Sequence, residues 1–537
     1  MPAPDHVENN MQDSSPVVEQ KITKVMICFA IFIFLSGWIA NFDLGYGGTV
    51  LFMEPFNRAF GKCHEHPDPQ SGDMVNVCQL TALQQSLTSL TSLFTAVGGV
   101  LSGLLCSYLG RRVSLQLGSL IVATAAAGML GTSGSYLNYM VCKSINGLGL
   151  GILYATTIVY GVECIVPRKR GLLLSLFTVG LASGNAGAAA VCAGSANLKD
   201  DWAWKTPIIC QIPLSLLLSG GVLLFPESPR WLLLKAKKVK ARQALGQFYE
   251  QDPNSEVITA QIIEIEAYLD FEKATSSSSS WTQLFNKRNI RRTLTSALIL
   301  VGTILTGLQF VAPYTALFLG GLGISSPFLI TAVIALCFTA GSLIGGLSIE
   351  YGGRRWAMLV GYSILGSCML IFSAVSTILG ATSSVAQKVL VACLCIWGFS
   401  FSGFIAPSGW VGSTEMHSIR LRDYGQAFTV NVNQIFGFGA TFWTPYMISK
   451  DYGNMGTNVG YFYFALTVVV LVLVFFFVPE TARLKLEQID DYFDSGVPPR
   501  KTSMKRNVEL AKSNVLEVGA TTSEVERAAS TRKMADG

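Results

Sequence analysis

The stretch Gly103-Leu-Leu-Cys-Ser-Tyr-Leu-Gly-Arg-Arg112 recurs later in the chain as Gly346-Leu-Ser-Ile-Glu-Tyr-Gly-Gly-Arg-Arg355. Two further motifs recur in the same order. Glu163, with an arginine seven residues later, is matched by Glu415, and Pro226-Glu-Ser-Pro-Arg230 is matched by Pro479-Glu-Thr-Ala-Arg483. The second copies begin 243 (346 − 103), 252 (415 − 163) and 253 (479 − 226) residues after the first. A spacing this constant indicates that one structural unit has been duplicated.

The composition is that of a membrane protein. Of the 537 residues, 50% are hydrophobic and only 14% are charged, and the mean hydropathy is +0.44. Soluble domains carry about 25% charged residues, so a soluble multidomain enzyme is excluded. The formal net charge of +5 is too small to indicate a nucleic-acid partner.

Twelve apolar stretches are long enough to cross about 30 Å of hydrocarbon, and in a bilayer they must be helices because every backbone group needs an internal partner. The predicted fold is therefore an all-α membrane protein of twelve transmembrane helices. An even number of spans per unit keeps both copies in one orientation, so the two six-helix halves are parallel repeats. The predicted spans are 25–52, 83–107, 114–133, 137–162, 172–194, 206–225, 293–321, 326–349, 356–379, 387–412, 425–448 and 457–478.

Lysine and arginine in the short loops set the orientation. Arg111, Arg112, Arg354, Arg355 and the basic cluster 168–170 share one side, which the positive-inside rule assigns to the cytoplasm. Both termini are then cytoplasmic, and no signal peptide precedes the first span. The predicted domains are an N-terminal tail 1–24, the bundle 25–225, a cytoplasmic linker of short helices 226–292, the bundle 293–478, and a mostly disordered tail 479–537.

Cysteine and histidine give little evidence of a metal or redox site. Cys63 and Cys78 lie in the polar loop after the first span, where they form a disulfide if that loop is extracellular and are otherwise free thiols. His64 and His66 beside them are weakly spaced for a metal and are interpreted as solvated loop residues. The chain has no Gly-x4-Gly-Lys-Ser/Thr loop, which argues against an ATP-driven pump. We therefore expect no enzyme activity, cofactor or metal.

The repeated motifs all fall at predicted cytoplasmic helix ends, where arginines and glutamates can pair with each other and with helix dipoles. We predict that they form a latch that holds the cytoplasmic side closed in one state and releases it in the other. The alternative is that the arginines only anchor the topology. The predicted latch residues are Arg111, Arg112, Glu163, Arg170, Glu227, Arg230, Glu350, Arg354, Arg355, Glu415, Arg422 and Glu480.

These motifs resemble the sugar porter family of the major facilitator superfamily. Pro226-Glu-Ser-Pro-Arg-Trp231 matches that family's pattern after the sixth span in full, and the resemblance covers roughly residues 25–495. Asn41-Phe-Asp-Leu-Gly-Tyr-Gly-Gly48 and Leu486-Glu-Gln-Ile-Asp490 look like fungal sugar:proton symporters of the α-glucoside type. The resemblance implies a secondary transporter that moves a carbohydrate by alternating access, with H⁺ as the coupling ion, in the plasma membrane and as a monomer.

The resemblance also implies a coupling pair. A carboxylate in the hydrocarbon layer costs about 2.5–3.5 kcal/mol or more, so Asp43 inside the first span must face a cavity or a partner. In the proton-coupled members an aspartate at this position pairs with an arginine in the fourth span, where this chain has Lys143. Proton coupling through Asp43 and Lys143 is therefore predicted, and the alternative is a structural ion pair in a uniporter.

Sugars offer hydroxyl groups and one apolar ring face, so their site needs hydrogen-bonding side chains and an aromatic face. The predicted substrate contacts are Gln309, Tyr314, Trp410, Asn433, Asn431 and Thr178. Thr178 and Thr303-Ile304 stand where the family has glutamines, and Ser107 stands where it has an acidic residue. These departures are the reason for an alternative function, a facilitator or exporter of a polyol, organic acid or specialised metabolite.

Overall fold

In the computed structural model, the chain is described over residues 23–507 with short gaps. The gaps are 68–73, 133, 165–169, 277–280, 324–325, 381–382, 419–420, 450, 483, 485–488, 490–491 and 494–496. Within the described residues, twelve long helical spans form two six-helix halves.

The N-terminal half contains spans 1 to 6. Their bounds are Lys24–Thr49 with a 3₁₀ turn Val50–Phe52, Ala82–Leu87 with Leu90–Leu109, Arg111–Leu130, Tyr136–Cys164, Arg170–Ser195, and Trp202–Gly221 with a 3₁₀ turn Val222–Leu224. The second span begins with a capping box, in which Thr81 accepts from the backbone of Gln84 and Gln84 accepts from the backbone of Thr81.

The C-terminal half contains spans 7 to 12, and two of them include a π-helical segment. Their bounds are Ile290–Thr303 with π-helix Ile304–Leu308 and Gln309–Gly321, Pro327–Tyr351, Arg354–Leu379, Ser384–Ser400 with π-helix Phe401–Ile405 and Ala406–Glu415, Arg422–Ile448, and Val459–Phe477 after a 3₁₀ turn Gly456–Asn458.

The predicted spans are confirmed, and their ends fall within four residues of those in the structure. Of the helices in the described part of the chain, 11 are long and apolar enough to cross a membrane by length and composition. The remaining span, Arg422–Ile448, is less apolar because it carries polar residues such as Asn431, Asn433 and Gln434. A span that is polar in the middle faces protein or a cavity rather than lipid.

The segment after span 1 forms a small cap on the side that the sequence predicts to be extracellular. Helix Glu54–Phe60 leads into an antiparallel hairpin of β1, Lys62–Pro67, and β2, Met74–Gln79. Cys63 lies opposite Cys78 in this hairpin, and the structure joins them by a disulfide.

The linker forms the helices Pro229–Leu234, Lys238–Tyr249 and Glu256–Ser276 and the 3₁₀ turn Trp281–Phe285. Its first part packs on the cytoplasmic end of the N-terminal half. The Thr23 hydroxyl donates to the Phe248 carbonyl at 2.6 Å, and the ring of Phe248 packs edge-on against Phe29 with centroids 5.2 Å apart. The linker is therefore part of the apolar core of that half.

The described part of the C-terminal tail packs on the end of span 12. The amide nitrogen of Asn507 donates to the carbonyls of Glu480 and Ala482, both at 3.0 Å, and the Thr502 hydroxyl accepts from the backbone of Glu480 at 2.8 Å. The prediction that the tail is mostly disordered falls largely on residues 508–537, which lie outside the described residues.

Candidate functional site

A buried ion pair lies in the middle of the N-terminal half. The Lys143 ammonium in span 4 donates to Oδ1 of Asp43 in span 1 at 2.7 Å, and their side chains are 6% and 3% exposed. The ammonium also lies 4.2 Å from the ring centroid of Tyr46. The structure therefore brings together the two residues predicted to be the coupling pair.

Three polar side chains that the sequence analysis did not single out extend this pair. The Tyr46 hydroxyl donates to Asp43 Oδ1 at 2.6 Å and lies 2.8 Å from the side-chain amide of Gln211 in span 6. The amide of Asn146 lies 3.2 Å from that of Gln211. All three side chains are fully buried. Spans 1, 4 and 6 are thus tied together by one polar network.

The Gln211 amide connects the phenol of Tyr46 to span 4. Its Oε1 lies 2.8 Å from the Tyr46 hydroxyl and accepts from the Nδ2 of Asn146 at 3.2 Å. Oδ1 of Asp43 thus accepts from both the Lys143 ammonium and the Tyr46 phenol.

A close backbone contact joins this network to the other half. Gly48, five residues after Asp43, lies so close to span 7 that a Cβ there would be 1.9 Å from the carbonyl oxygen of Pro313. Only glycine permits this approach. Tyr314, the next residue of span 7, is fully buried. Span 1 thus carries both Asp43 and, at Gly48, a contact with span 7.

Tyr314 closes the extracellular end between the halves. Its hydroxyl lies 3.3 Å from the Gln85 carbonyl, from the Thr88 hydroxyl and from the Thr441 carbonyl. Nearby, the Ser86 hydroxyl donates to the Phe442 carbonyl at 2.9 Å. These hydrogen bonds join the two six-helix halves. These contacts lie at the ends of the spans that the sequence predicts to be extracellular, so the two halves are in contact on that side.

Two of the other predicted substrate residues lie next to the π-helical segments of the C-terminal half. Gln309 follows Ile304–Leu308 directly, is half-buried, and directs its Nε2 toward Gly437 of span 11. Trp410, in the helical turn after Phe401–Ile405 and Ala406, is 46% exposed. π-Helical turns often mark functional positions in membrane helices.

The remaining predicted contacts are placed differently. The Asn433 Nδ2 donates to the Leu300 carbonyl at 2.7 Å and the side chain is 7% exposed, so it ties span 11 to span 7. Asn431 donates to the Ala427 carbonyl one turn back at 2.8 Å. Thr178 is exposed on span 5. The structure does not gather the six residues into one set of contacts, and substrate binding by them remains a prediction.

The predicted latch residues of the N-terminal half form a cluster at its cytoplasmic end. The Arg111 guanidinium donates to Glu163 at 2.7 Å, and Glu163 also accepts from the Ser228 hydroxyl at 2.5 Å. The Glu227 carboxylate accepts from the backbone N–H groups of Arg111 at 3.0 Å and Arg112 at 3.2 Å. Glu227 thus caps the N-terminus of span 3, where a carboxylate is favoured by the helix dipole.

The C-terminal half repeats this cluster contact by contact. Arg354 donates to Glu415 at 2.9 Å, which also accepts from the Thr481 hydroxyl at 2.6 Å. Glu480 accepts from the backbone of Arg354 at 2.9 Å and of Arg355 at 3.1 Å. In both halves the glycine before the arginine pair has a positive φ, and a Cβ there would lie 2.5 Å from the capping carboxylate.

The contacts of each cluster described above therefore lie within one half. Arg112 and Arg355 donate instead to the carbonyls of Leu223 and Phe475. Glu350 is exposed and has no ion pair with a described residue, whereas Arg230 is half-buried and engaged. Arg170 begins span 5, but its side chain lies outside the described residues. The role of the set as a latch remains a prediction.

His417 lies beside the second cluster, in the turn that follows span 10. Its Nε2 lies 3.2 Å from the Thr429 hydroxyl, which in turn lies 3.0 Å from that of Ser296. Burial, together with the charges of Arg422 and Arg292, lowers the pKa of His417 to about 4. The imidazole is therefore neutral at pH 7.

The functional residues that were not predicted show only a weak pattern in the sequence. Tyr46 follows Asp43 by three positions, and Asn146 follows Lys143 by three, so each lies on the same helix face as a membrane charge. Gln211 carries no such signal within span 6. Ser228 and Thr481 occupy equivalent positions in the two Pro-Glu-Ser/Thr motifs, and this equivalence indicates a shared role.

The comparisons with known proteins agree with this architecture. Residues 29–493 match the model of the family described as sugar (and other) transporter. The chain belongs to that family. A member from Neurospora crassa, the probable glucose transporter rco-3, is 27% identical over 87% of this chain and 79% of its own length. The MFS transporter fmqE of Aspergillus fumigatus is 31% identical over 88% of this chain and 86% of its own length. The chain is thus a secondary transporter of the sugar (and other) transporter family and not an enzyme.

The solved structures show the fold of this family. The proton:xylose symporter XylE bound to 6-bromo-6-deoxy-D-glucose superposes with a TM-score of 0.69 at 19% identity, over 88% of this chain and 100% of XylE. A partially occluded inward-open structure of XylE from E. coli also gives a TM-score of 0.69, at 18% identity, over 86% of this chain and 99% of XylE. The major facilitator fold is confirmed.

Tyr314→Phe should weaken the extracellular closure. The substitution keeps the ring and removes the hydroxyl that contacts span 2, and one such hydrogen bond is worth about 1 kcal/mol, or about fivefold in a population. We expect a cysteine placed at Thr441, which is buried in this closure, to react several-fold faster with a membrane-impermeant thiol reagent added outside. Labelling of intact cells or right-side-out vesicles measures this rate.

Tyr461→Phe is the matched control, because the Tyr461 hydroxyl bonds to Thr377 at 3.3 Å within the same half. This control should leave the labelling of the Thr441→Cys position unchanged. Equal labelling rates in the Tyr314→Phe and parent backgrounds would show that Tyr314 does not hold the extracellular side closed.

Because His417 is buried and neutral, the free energy of unfolding should decrease as the pH falls. Its folded pKa of about 4 lies below the unfolded value of about 6.5, so its contribution to stability is complete above pH 6.5 and is lost as the pH falls toward 4. This group alone should make the protein about 2 kcal/mol less stable at pH 5 than at pH 7. Thermal unfolding of His417→Gln and the parent protein at both pH values measures the difference. The same pH dependence in both proteins would contradict the assignment.

Proposed function

We propose that the chain imports a carbohydrate across the plasma membrane, coupled to H⁺, with both termini in the cytoplasm. The observation that carries the proposal is the buried Asp43–Lys143 pair at 2.7 Å. It is supported by relatives that are named as sugar transporters, among them the high-affinity hexose transporter ght4 of Schizosaccharomyces pombe, which is 26% identical over 89% of this chain. We also propose that the transporter acts as a monomer in the lipid bilayer.

The coupling follows from the cost of a buried charge. When Asp43 is ionised, it and Lys143 neutralise each other and spans 1 and 4 are held together. When a proton from the outside neutralises Asp43, the attraction is lost, and span 1 can move relative to span 4. The structure combines an intact pair with a closed extracellular side, which corresponds to the stage after the proton has left toward the cytoplasm.

Span 1 offers a direct route from this pair to the extracellular closure. Asp43 and Gly48 are less than two helical turns apart on the same rigid helix, and Gly48 rests on Pro313 beside Tyr314. A displacement of span 1 therefore disturbs the contact on which the closure depends. In this proposal, protonation of Asp43 and opening to the outside are two consequences of one movement.

A neutral, hydroxyl-rich substrate fits the charges of the described spans. Lys143 is the cation in their middle sections, and it is already bound by Asp43. The groups that remain for recognition are amides, hydroxyls and aromatic faces, such as Gln309 and the half-exposed Trp410. These groups match sugar hydroxyls and an apolar ring face. We propose Gln309 and Trp410 as the main contacts, with Tyr314 acting mainly in closure.

An organic acid or other non-sugar substrate is the second candidate. The family description itself includes other solutes, and the high-affinity gluconate transporter ght3 of Schizosaccharomyces pombe is 26% identical over 89% of this chain. An anion would have to compete with Asp43 for Lys143, which separates the two candidates physically.

Uptake of radiolabelled glucose, maltose, lactose, inositol and quinate into cells that lack hexose transport distinguishes these candidates. We expect saturable uptake of at least one of the three sugars and none of quinate. Uptake confined to quinate or inositol would reject the carbohydrate proposal and support the second candidate.

Asp43→Asn should abolish accumulation against a gradient. The amide cannot exchange a proton, so uptake should stop at equal concentrations on the two sides and become insensitive to a protonophore. Because Lys143 would then be buried without a partner, at a cost of about 3–5 kcal/mol, the double variant Asp43→Asn/Lys143→Gln provides a charge-balanced form.

Asp201→Asn is the matched control. It removes a carboxylate that also binds a lysine, Lys205 at 3.0 Å, but lies 49% exposed on the outer side. Accumulation should remain normal in this control. Uphill accumulation that persists in both Asp43 variants would exclude the coupling role.

A further inference from the structure

A cluster of lysines lies where the linker leaves span 6, at the cytoplasmic boundary of the N-terminal half. We define the lysine cluster as Lys235, Lys237 and Lys240, and all three side chains are exposed. None of them has an acidic partner among the described residues. Their neighbour Lys238 differs, because its ammonium binds Glu266 at 2.7 Å.

The lysine cluster is fixed at the level of the membrane surface. The Trp231 indole donates to the Ser107 carbonyl at 3.1 Å, which holds the start of the linker against the last turn of span 2. Tyr108, in that turn, is 73% exposed. On a transmembrane helix an exposed apolar or aromatic side chain faces lipid, and tyrosine is enriched at the interface with water.

The charges of the lysine cluster lie over this aromatic boundary. The Lys235 ammonium is 5.9 Å from the ring centroids of both Tyr108 and Trp231, and that of Lys237 is 5.5 Å from Trp231. The two ammonium groups thus lie near the exposed ring of Tyr108 and the buried ring of Trp231. Long lysine side chains at such a boundary extend toward the phospholipid headgroups.

Exposed apolar residues lie on both sides of the cluster. Leu224 at the end of span 6 is 82% exposed, Leu234 is 47% exposed, and Val239 is 70% exposed. In an aqueous loop these exposures would be unfavourable, whereas at the bilayer surface they insert between headgroups. The apolar side chains and the lysines therefore face the same layer.

Two lysines of the cluster lie where the helix dipole makes a positive charge unfavourable. Lys237 and Lys240 lie at the start of helix Lys238–Tyr249, which has no acidic residue in its first turn. Cations are unfavourable at this positive end of a helix dipole. Their presence there is explained if an external anion compensates them.

We propose that the lysine cluster binds the anionic phospholipid headgroups of the cytoplasmic leaflet. A negative membrane surface attracts each nearby lysine by an amount that corresponds to about fivefold in affinity. Because the cluster is fixed to span 2 through Trp231 and Ser107, the bound lipid is attached to the N-terminal half. This inference does not depend on which solute is transported.

The test compares two neighbouring lysines. The full-length protein is incubated in mixed micelles of phosphatidylcholine with a minor fraction of phosphatidylserine, purified by affinity, and the retained lipids are measured by mass spectrometry. Lys237→Ala should lower the ratio of retained phosphatidylserine to phosphatidylcholine by about fivefold. Lys238→Ala removes the same charge at a position that Glu266 already neutralises, and it should change the ratio less than twofold.

Two further measurements strengthen this comparison. The triple variant Lys235→Ala/Lys237→Ala/Lys240→Ala should lose more than tenfold, and salt at about 1 M, where the screening length is about 3 Å, should remove the preference of the parent protein. Unchanged elution on size exclusion and an unchanged thermal midpoint establish that each variant is folded. A folded Lys237→Ala or triple variant that retains the parent ratio would overturn the proposal and indicate that the cluster sets topology or meets a protein. Equal losses in Lys237→Ala and Lys238→Ala would also overturn it.

Discussion

Two opposite charges buried in the hydrocarbon layer must stay together, and much of this transporter is arranged around that constraint. Asp43 and Lys143 come from different spans, so their contact holds spans 1 and 4 in one relative position. Tyr46, Gln211 and Asn146 fill the space around the pair with hydrogen-bonding groups and bring in span 6. Span 1 then meets span 7 at Gly48, beside the closure around Tyr314. In the proposed mechanism, this helix connects the charge state of Asp43 to the side on which the protein opens.

The two halves repeat the same arginine–glutamate and helix-capping contacts at one end. The residues in the middle of their spans differ. At the cytoplasmic side, Glu227 and Glu480 cap equivalent helices, and Arg111 and Arg354 bind equivalent glutamates. In the middle, the N-terminal half carries the ion pair. The C-terminal half instead carries two π-helical segments next to Gln309 and Trp410. The proposed coupling residues therefore lie in one half, and the candidate recognition residues lie mainly in the other.

The twelve helical spans could be predicted from the sequence because each membrane helix is determined by its own apolar stretch. An apolar stretch of sufficient length has one structural solution in lipid, so all twelve spans could be placed from the chain alone. The contact of Asp43 with Lys143 was also predictable, because a membrane charge needs a partner and the family resemblance indicated which span supplies it. The Cys63–Cys78 disulfide seen in the structure was one of two alternatives that the sequence left open.

The partners chosen by tertiary packing were not predictable. The amide of Asn433 donates to the Leu300 carbonyl, and the hydroxyl of Tyr314 lies in the closure between the halves. The sequence indicated neither contact, and the prediction that both residues bind substrate stands untested. The sequence left open whether Glu227 and Glu480 pair with arginine side chains or with helix dipoles, and in the structure they cap the N-termini of spans 3 and 9. Each of these outcomes depends on how helices distant in sequence approach each other.

The most direct test of the central claim is whether sugar entry carries protons. The purified protein is reconstituted into vesicles, a transported sugar is added to a weakly buffered medium without any imposed gradient, and the external pH is recorded. Coupling through Asp43 predicts that the medium becomes alkaline as sugar enters, at the same initial rate as sugar uptake, and that a protonophore removes this signal. Sugar uptake at full rate with no change in external pH would contradict the account and leave the Asp43–Lys143 pair as a structural element only.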